Sequence, residues 1–400
     1  MANFHYLATD SQNKQLKGAL EAKDLLEAKT KLRQLGFYII WIRKESNLNL
    51  QFSFGRVRNS DLAVFSHQFS VMISSGIPLI RALRALAEET SNAKLRFIIE
   101  KVRLDVENGT SLSNAFSKYP EAFSEFFVNL VKSGEAGGIL ASVLSRLAKH
   151  FEKEEDLRRK VTSSLAYPAI VGIFTILVVV FLLIFVVPVF RSVYKSLKVS
   201  LPGPTVALVA LSDFFVKYWW LILLFMGLAF YFLRKLRQNA VFGLKLDSLK
   251  LRLPLFGQLN RKVAVSRFVR TLSTMIGSGL TLNPSLTIVK DIVGNRVIAH
   301  AIEGIQEGIN KGIYLSDALK AQAFFPPIAV QMISVGEESG NLNTMLDKCA
   351  DFLDEDIDTL IKSLVVKLEP TLTFILAVIV GFIALAIYLP VFDLIRQIQR

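Results

Sequence analysis

Cysteine is almost absent from this chain. Cys349 is the only one among 400 residues, which excludes an intrachain disulfide and any secreted disulfide framework. Its place in a helical pattern reads as a reduced, packed thiol. Histidine is nearly as scarce: His5, His67, His150 and His300 lie far apart and form no HxxxH or HExxH pair, so a metal-hydrolase site is not expected. No lysine follows a glycine-rich turn as a phosphate loop requires, and no nucleophile–base pair stands out. The net charge of +13 comes without zinc-finger spacing or an aromatic-rich basic repeat, so nucleic acid is not an expected partner. The N-terminal stretch Phe4–Gly18 carries charge early and has no apolar run, unlike a secretory signal. No cofactor is expected.

Charge is missing altogether from two long stretches. Leu165–Phe190 holds 26 residues without one ionisable side chain, and Thr371–Phe392 repeats the pattern. About 20 apolar residues cross a bilayer core as a helix, and only a segment that satisfies its own backbone can do so. The chain therefore reads as a membrane protein. A third run, Tyr218–Leu233, has 16 uncharged residues, with Lys217 and Arg234 placed to snorkel and Trp219 and Trp220 at an interface. No Asp, Glu, Lys, Arg or His falls mid-span, which counts against a pump or transporter. Basic residues crowd around the spans: residues 191–262 carry 12 basic and 2 acidic side chains. Five cations, Lys149, Lys153, Arg158, Arg159 and Lys160, lie just before the first span, and only Arg191, Lys195 and Lys198 follow it closely. By the positive-inside tendency its N-terminal side is cytoplasmic.

Residues 3–8, 15–21 and 37–42 read as strands around a helix at 24–35, a small ββαβ unit within 1–45, with a linker at 46–59. From Ser60 to Ser164 the pattern is that of a six-helix bundle. The chain then repeats itself. Phe65–Gly76 (FSHQFSVMISSG) matches Phe268–Gly279 (FVRTLSTMIGSG) at an offset of 203. Beyond a one-residue slip the offset is 202, which aligns Gly134-Glu135 with Gly336-Glu337, Pro168 with Pro370, and Pro188-Val189-Phe190 with Pro390-Val391-Phe392. Matching glycines, prolines and ends mark a duplication. The expected fold is mainly α: a polytopic membrane protein with homologous bundles at 60–164 and 263–367. Its three transmembrane helices are expected at 165–190, 218–236 and 368–392, with a loop at 191–217, a basic linker at 237–262 and a tail at 393–400. Two copies of bundle-plus-span would place their bundles on opposite faces. The additional span returns the second bundle to the side of the first.

Two features could carry function. The turns Gly134-Glu135-Ala136-Gly137-Gly138 and Gly336-Glu337-Glu338-Ser339-Gly340 let helices meet in a tight corner, with Glu135 or Glu337 meeting the dipole of the next helix. A partner contact or a cation ligand is the alternative for these glutamates, the only metal candidates in the chain. Gly76 and Gly279 end the duplicated motif as further structural turns. The second feature is an acidic helix face: Asp347, Asp351, Asp354 and Asp358 fall at i, i+4, i+7 and i+11. It is either solvated or a docking surface, for a basic partner or for the other repeat's basic helix. Pro168, Pro188, Pro370 and Pro390 bound the spans.

The doubled FxxxxxxMxxSG block, the GExxG turns, Tyr167-Pro168, the PVF ends and Leu253-Pro254-Leu255-Phe256-Gly257 together resemble the GspF/PilC family. These are inner-membrane platform proteins of type II secretion and type IV pilus machines. The resemblance implies a non-enzymatic, multi-pass platform with a periplasmic loop and C-terminus. Such a platform couples a cytoplasmic hexameric ATPase to insertion of pilin or pseudopilin transmembrane helices, and contacts other inner-membrane assembly components and further copies of itself. Phe325-Pro326-Pro327 and Tyr388-Leu389-Pro390 lean towards the pilus branch over the secretion branch. A motor-independent membrane scaffold is the reading from another class.

Overall fold

The computed structural model describes residues 2–9, 15–22, 29–31, 38–44, 55–196, 203–236, 239–254 and 256–398. They divide into two units, Met1–Arg56 and Val57–Arg400. In the first, β1 (Ala2–Thr9), β2 (Gln15–Ala22) and β3 (Tyr38–Lys44) form an antiparallel sheet of order β2-β1-β3. Leu7 pairs with Trp41 and Ala8 with Ile39, so a bulge interrupts β3. Of the helix expected at 24–35, residues 29–31 are helical and the rest lie outside the described residues.

In the second unit the first repeat comprises α1 (Asn59–Ser74), α2 (Leu79–Glu89), α3 (Ala93–Glu107), α4 (Leu112–Ser117) and α5 (Glu125–Ala136). Phenylalanines dominate its core: Phe65, Phe116, Phe123 and Phe127 pack with ring centroids 4.3–6.4 Å apart. Its last helix does not stop at the expected bundle boundary. α6 (Leu140–Phe181) runs through Pro168 into the first apolar stretch, then through a π-turn (Leu182–Val186) into α7 (Val187–Ser196).

Next comes α8 (Gly203–Leu236), followed by α9 (Ala240–Arg252), α10 (Phe256–Gly277), α11 (Leu282–Ile292), α12 (Arg296–Asn310), α13 (Leu315–Lys320) and α14 (Pro327–Glu338). α15 (Leu342–Ile398) closes the chain with 57 residues, about 85 Å at 1.5 Å per residue. Pro370 and Pro390 lie inside it, as Pro168 lies inside α6. A proline in a helix interior leaves one carbonyl without its N–H partner but does not end a helix whose flanks are well packed.

Three expectations need correction. Residues 203–217 are not a loop: they are the first half of α8, and Leu208 is buried among Leu183, Val187, Ile383 and Ala386. Of the linker expected at 237–262, residues 240–252 form α9, which packs on α12, with Asp247 accepting the backbone N–H of Arg296 at 3.2 Å, and residues 256–262 open α10. The tail from Asp393 continues α15 to Ile398. Two helical stretches, Leu140–Val193 and Leu342–Leu389, are long and apolar enough to cross a membrane. A third is the bent pair Gly203–Leu221 and Leu224–Leu236, at 52°.

The duplicated prolines explain why α8 sits where it does. Val187 N–H bonds the carbonyl of Leu182, an i→i−5 step. In that register Pro188 would bond Leu183, but it has no N–H to give. The Ser212 hydroxyl of α8 donates to the Leu183 carbonyl instead. In α15 the missing N–H of Pro390 leaves Ala386 unbonded, and the Thr205 hydroxyl donates to that carbonyl at 2.6 Å. Thr205 and Ser212, seven residues apart, share one face of α8. In hydrocarbon an unmet carbonyl costs several kcal/mol, and Ser/Thr side chains are the usual remedy. Thr205→Val is therefore expected to cost about 1–3 kcal/mol and lower the unfolding midpoint in detergent. Thr371→Val, whose hydroxyl bonds only its own helix at Lys367, should shift it little.

Candidate functional site

The buried apolar residues of both repeats join in one cluster, from Leu62 in α1 to Leu353 in α15. Along the seam between the repeats, α6 lies against α10 and α15. The acidic face of α15 points into it. Asp354 is 17% exposed and accepts from Ser266 and Arg270 of α10; Asp351 takes Arg270 at 3.1 Å and Lys153 of α6 at 3.5 Å. Asp358 pairs with Lys160 of α6 at 2.6 Å, and Asp347 accepts from Ser273 at 2.6 Å. Two of the cross-repeat pairs, Lys153–Asp351 and Lys160–Asp358, span 198 residues, so the two long helices run parallel and in register; a third, Arg267–Glu154 at 2.9 Å, joins α10 to α6. Of the alternatives open for this face, the chain's own basic helix occupies it. Burial works against ionisation of Asp351, but the hydrogen bond and charge of Arg270 outweigh it and hold the carboxyl below its usual range.

Arg270 also helps line a cavity of about 50 Å³ with Arg146, Lys149 and His150 of α6, Thr274 and Asp347. His150 is buried against Phe126, and its Nδ1 has no hydrogen-bond partner. Burial first, then the charges of Arg270 and Arg267, lowers its pKa to about 3, so it is neutral at physiological pH. Gly277 makes room for Arg146: a Cβ there would lie 2.4 Å from the Arg146 guanidinium. Cys349 is buried, and burial pushes its thiol up to about 11.

The GExxG turns are built differently from expectation. Glu135 accepts from the backbone N–H groups of Leu112 and Ser113 at 2.8 and 3.2 Å and from the Ser113 hydroxyl. Glu337 accepts from those of Leu315 and Ser316 at 2.6 and 2.8 Å. Each glutamate caps the short helix about 22 residues upstream rather than the helix that follows. Its two oxygens are thereby engaged, and no group of three His, Cys, Asp or Glu side chains gathers to hold a metal among the described residues. The first and last glycines of each turn have separate tasks. Gly134 and Gly336 are helical, and a Cβ on them would meet Val143 at 2.9 Å or Met345 at 2.8 Å. Gly138 and Gly340, like Gly76 and Gly279, have φ between +66° and +86°, a region side chains disfavour. Glu338 stays exposed, bonded by Ser334 of its own helix.

Below the seam a second apolar cluster joins Leu157 of α6 to Ile357, Ile361 and Leu364 of α15. Further along, the two apolar stretches leave between them a groove of about 710 Å³, lined by Gly172, Thr175, Val179, Ile375 and Ile379 and closed by Leu208 and Phe215 of α8. Pro188 and Pro390 lie beyond it on their helices.

The family model for type II secretion system protein F matches residues 65–188 and 268–390, ending on Pro188 and Pro390. The model for that protein's N-terminal domain matches residues 1–43. The chain belongs to the protein F family. A type IV pilus assembly protein PilC from Thermus thermophilus is 39% identical over the whole of both chains. PilC from Pseudomonas aeruginosa is 34% identical, covering 92% of this chain and 98% of its own. A type II secretion system protein F from Vibrio cholerae is 30% identical over the whole of both. Members named for pilus assembly and for secretion thus share its full length.

Sequence reasoning missed Arg270, His150, Arg146, Gly277, Thr205 and Ser212. A signal for the seam existed: its positions differ between repeats, with His67 for Arg270, Val71 for Thr274, Ser74 for Gly277 and Phe352 for His150. The two α8 hydroxyls carried no such mark.

Two outcomes are expected. Glu337→Ala should cost about 1.5–3 kcal/mol by orphaning two N–H groups, measured as a lower thermal midpoint, while Glu338→Ala stays within about 0.5 kcal/mol. The second concerns pH. His150 binds a proton more readily unfolded than folded, so stability is lost as pH falls from about 6.5 towards about 3. Between pH 7.5 and 5 this amounts to about 2 kcal/mol. His150→Phe, the residue its counterpart Phe352 already is, should flatten that part of the stability–pH curve.

Proposed function

We propose that this chain is the inner-membrane platform of a type IV pilus assembly machine, coupling a cytoplasmic assembly ATPase to insertion of pilin subunits into a filament. The observation that carries the reading is the unbroken course of α6 and α15 from the repeat core into the apolar stretches. A displacement at the repeats is delivered to the membrane without a hinge loop to absorb it. The platform itself has no catalytic role; energy comes from the motor.

The same core orders the crossings. Both repeats bury side chains in one cluster and so stand on one side of the bilayer. The chain must cross an even number of times between them, once by α6–α7 and once by α8, and α15 makes a third crossing. The repeats and N-terminus are cytoplasmic, where Lys149, Lys153, Arg158, Arg159 and Lys160 precede the first crossing, and the C-terminus is periplasmic. The groove between the two spans, with almost wholly apolar walls, is open to a pilin transmembrane helix. Glu338 and the exposed part of Asp351 are the partner-contact candidates left free, since Glu135, Glu337, Asp347, Asp354 and Asp358 are engaged within the chain. The relatives named for pilus assembly favour the pilus branch, at up to 39% identity against 33% for those named for secretion.

Photo-crosslinkers at Glu338 and at Ile375, in native membranes, test this. Adducts to a hexameric ATPase from the first and to pilin from the second are expected. Pseudopilin in place of pilin would move the chain to the secretion branch. Loss of both adducts across a wider scan of the repeats and spans would overturn the platform reading.

A further inference from the structure

The seam inside this chain is a head-to-tail contact, and duplication makes a second one available. In the seam, repeat 2 presents Arg267, Arg270, Thr274 and Gly277 of α10 and Asp351 and Asp358 of α15. Repeat 1 answers with Arg146, His150, Lys153, Glu154 and Lys160 of α6. The two repeats therefore use different faces. A heterologous contact of this kind always leaves one copy of each face unused.

Those second faces are exposed, and at their edges Lys149, Asp156 and Glu355 also line the seam's own cavity and groove. The counterparts of the α10 face in repeat 1 are Val64, His67, Val71 and Ser74, all exposed, with Val64 at 58% and Val71 at 52%. The counterparts of the α6 face in repeat 2 are Lys348, Phe352, Glu355 and Lys362, also exposed, with Phe352 at 41%. Apolar side chains have replaced polar ones at matching places. Where His150 meets Arg270 and Thr274 across the internal cavity, Phe352 would meet His67 and Val71.

Charge follows the same correspondence at two of the three seam ion pairs; the third, Arg267–Glu154, maps onto Val64 and Asp356, and Asp356 already holds Lys262 of its own repeat. The internal pair Lys153–Asp351 maps onto Glu355 and Lys149, opposite in sign to the original but still complementary. The pair Lys160–Asp358 maps onto Lys362 and Asp156, which keep the original signs. A surface that met only water would have no reason to exchange both members of a pair together. We infer that a second copy of this chain docks here, placing its α15 face around Phe352, Glu355 and Lys362 on the α1–α6 face around Val71, Lys149 and Asp156, in the arrangement the repeats use internally. Because α6 and α15 run parallel across the seam, repeating this contact keeps the long helices of every copy parallel, as a shared membrane requires. This assignment is independent of the pilus reading, since it concerns only contacts between copies of the chain.

Two tagged full-length chains, each lacking the native thiol through Cys349→Ser, are co-expressed in membranes, one carrying Val71→Cys and the other Phe352→Cys. The expected result is a disulfide between the two tags, with neither variant crosslinking to itself. Glu355→Lys in the second chain should cut the yield at least several-fold. Adding Lys149→Glu to the first should restore it, which a folding defect could not do. Self-crosslinking of either variant with equal efficiency, absence of the mixed product, or a yield indifferent to both charge changes would overturn the assignment. A platform lacking motor adducts but showing the mixed crosslink would leave this interface standing and remove the proposed function.

Discussion

Two helices, Leu140–Ser196 and Leu342–Ile398, have to be kept parallel from the soluble core through the apolar stretches, and everything else in this part of the structure answers to that requirement. No single solvent regime can do it. Within the repeats, hydrophobic burial joins them. At the seam, buried Arg270 gathers Asp351 and Asp354 while Lys153 and Lys160 reach across. The pairs that cross from α6 to α15 are exposed and add little stability, but both span 198 residues, a spacing met in only one register. Between the repeats and the groove, Leu157 and Ile357 restore an apolar contact.

Near the prolines the requirement takes another form. Lipid tails are as apolar as leucine, so burial no longer draws helices together. What remains is the backbone: each duplicated proline exposes a carbonyl that hydrocarbon cannot satisfy. α8 supplies a hydroxyl to each and thereby holds both long helices by polar bonds, with Leu208 filling the space between. The inserted helix is thus a tie between the two long helices.

Duplication without symmetry runs through the whole molecule. The GExxG caps, the close-packed Gly134 and Gly336 and the positive-φ turns are the same in both repeats because each repeat must fold by the same internal contacts. The seam residues differ because each repeat meets a different neighbour. His150, buried in the seam, and Phe352 on the surface occupy equivalent positions and have opposite surroundings. Divergence between the repeats is therefore a map of their external contacts, and conservation between them a map of their internal ones.

By itself the sequence determined the helical class, the apolar stretches, the duplication and the family, because each rests on a local or periodic property: hydropathy over about 20 residues, recurrent glycines and prolines, a fixed offset. It also marked Glu135 and Glu337 as caps, yet the helix each one caps lies about 22 residues upstream and could not be read from neighbouring residues. Only the tertiary structure decided that α6 and α15 pass unbroken through Pro168 and Pro370, that residues 203–217 are helical, and that the acidic face of α15 is closed by Lys153 and Lys160. Each of those outcomes depends on which distant group satisfies a charge or a carbonyl. A hydrogen-bond partner some 180 residues away, as Thr205 is to Ala386, leaves no trace in local composition; it exists only once the helices are side by side.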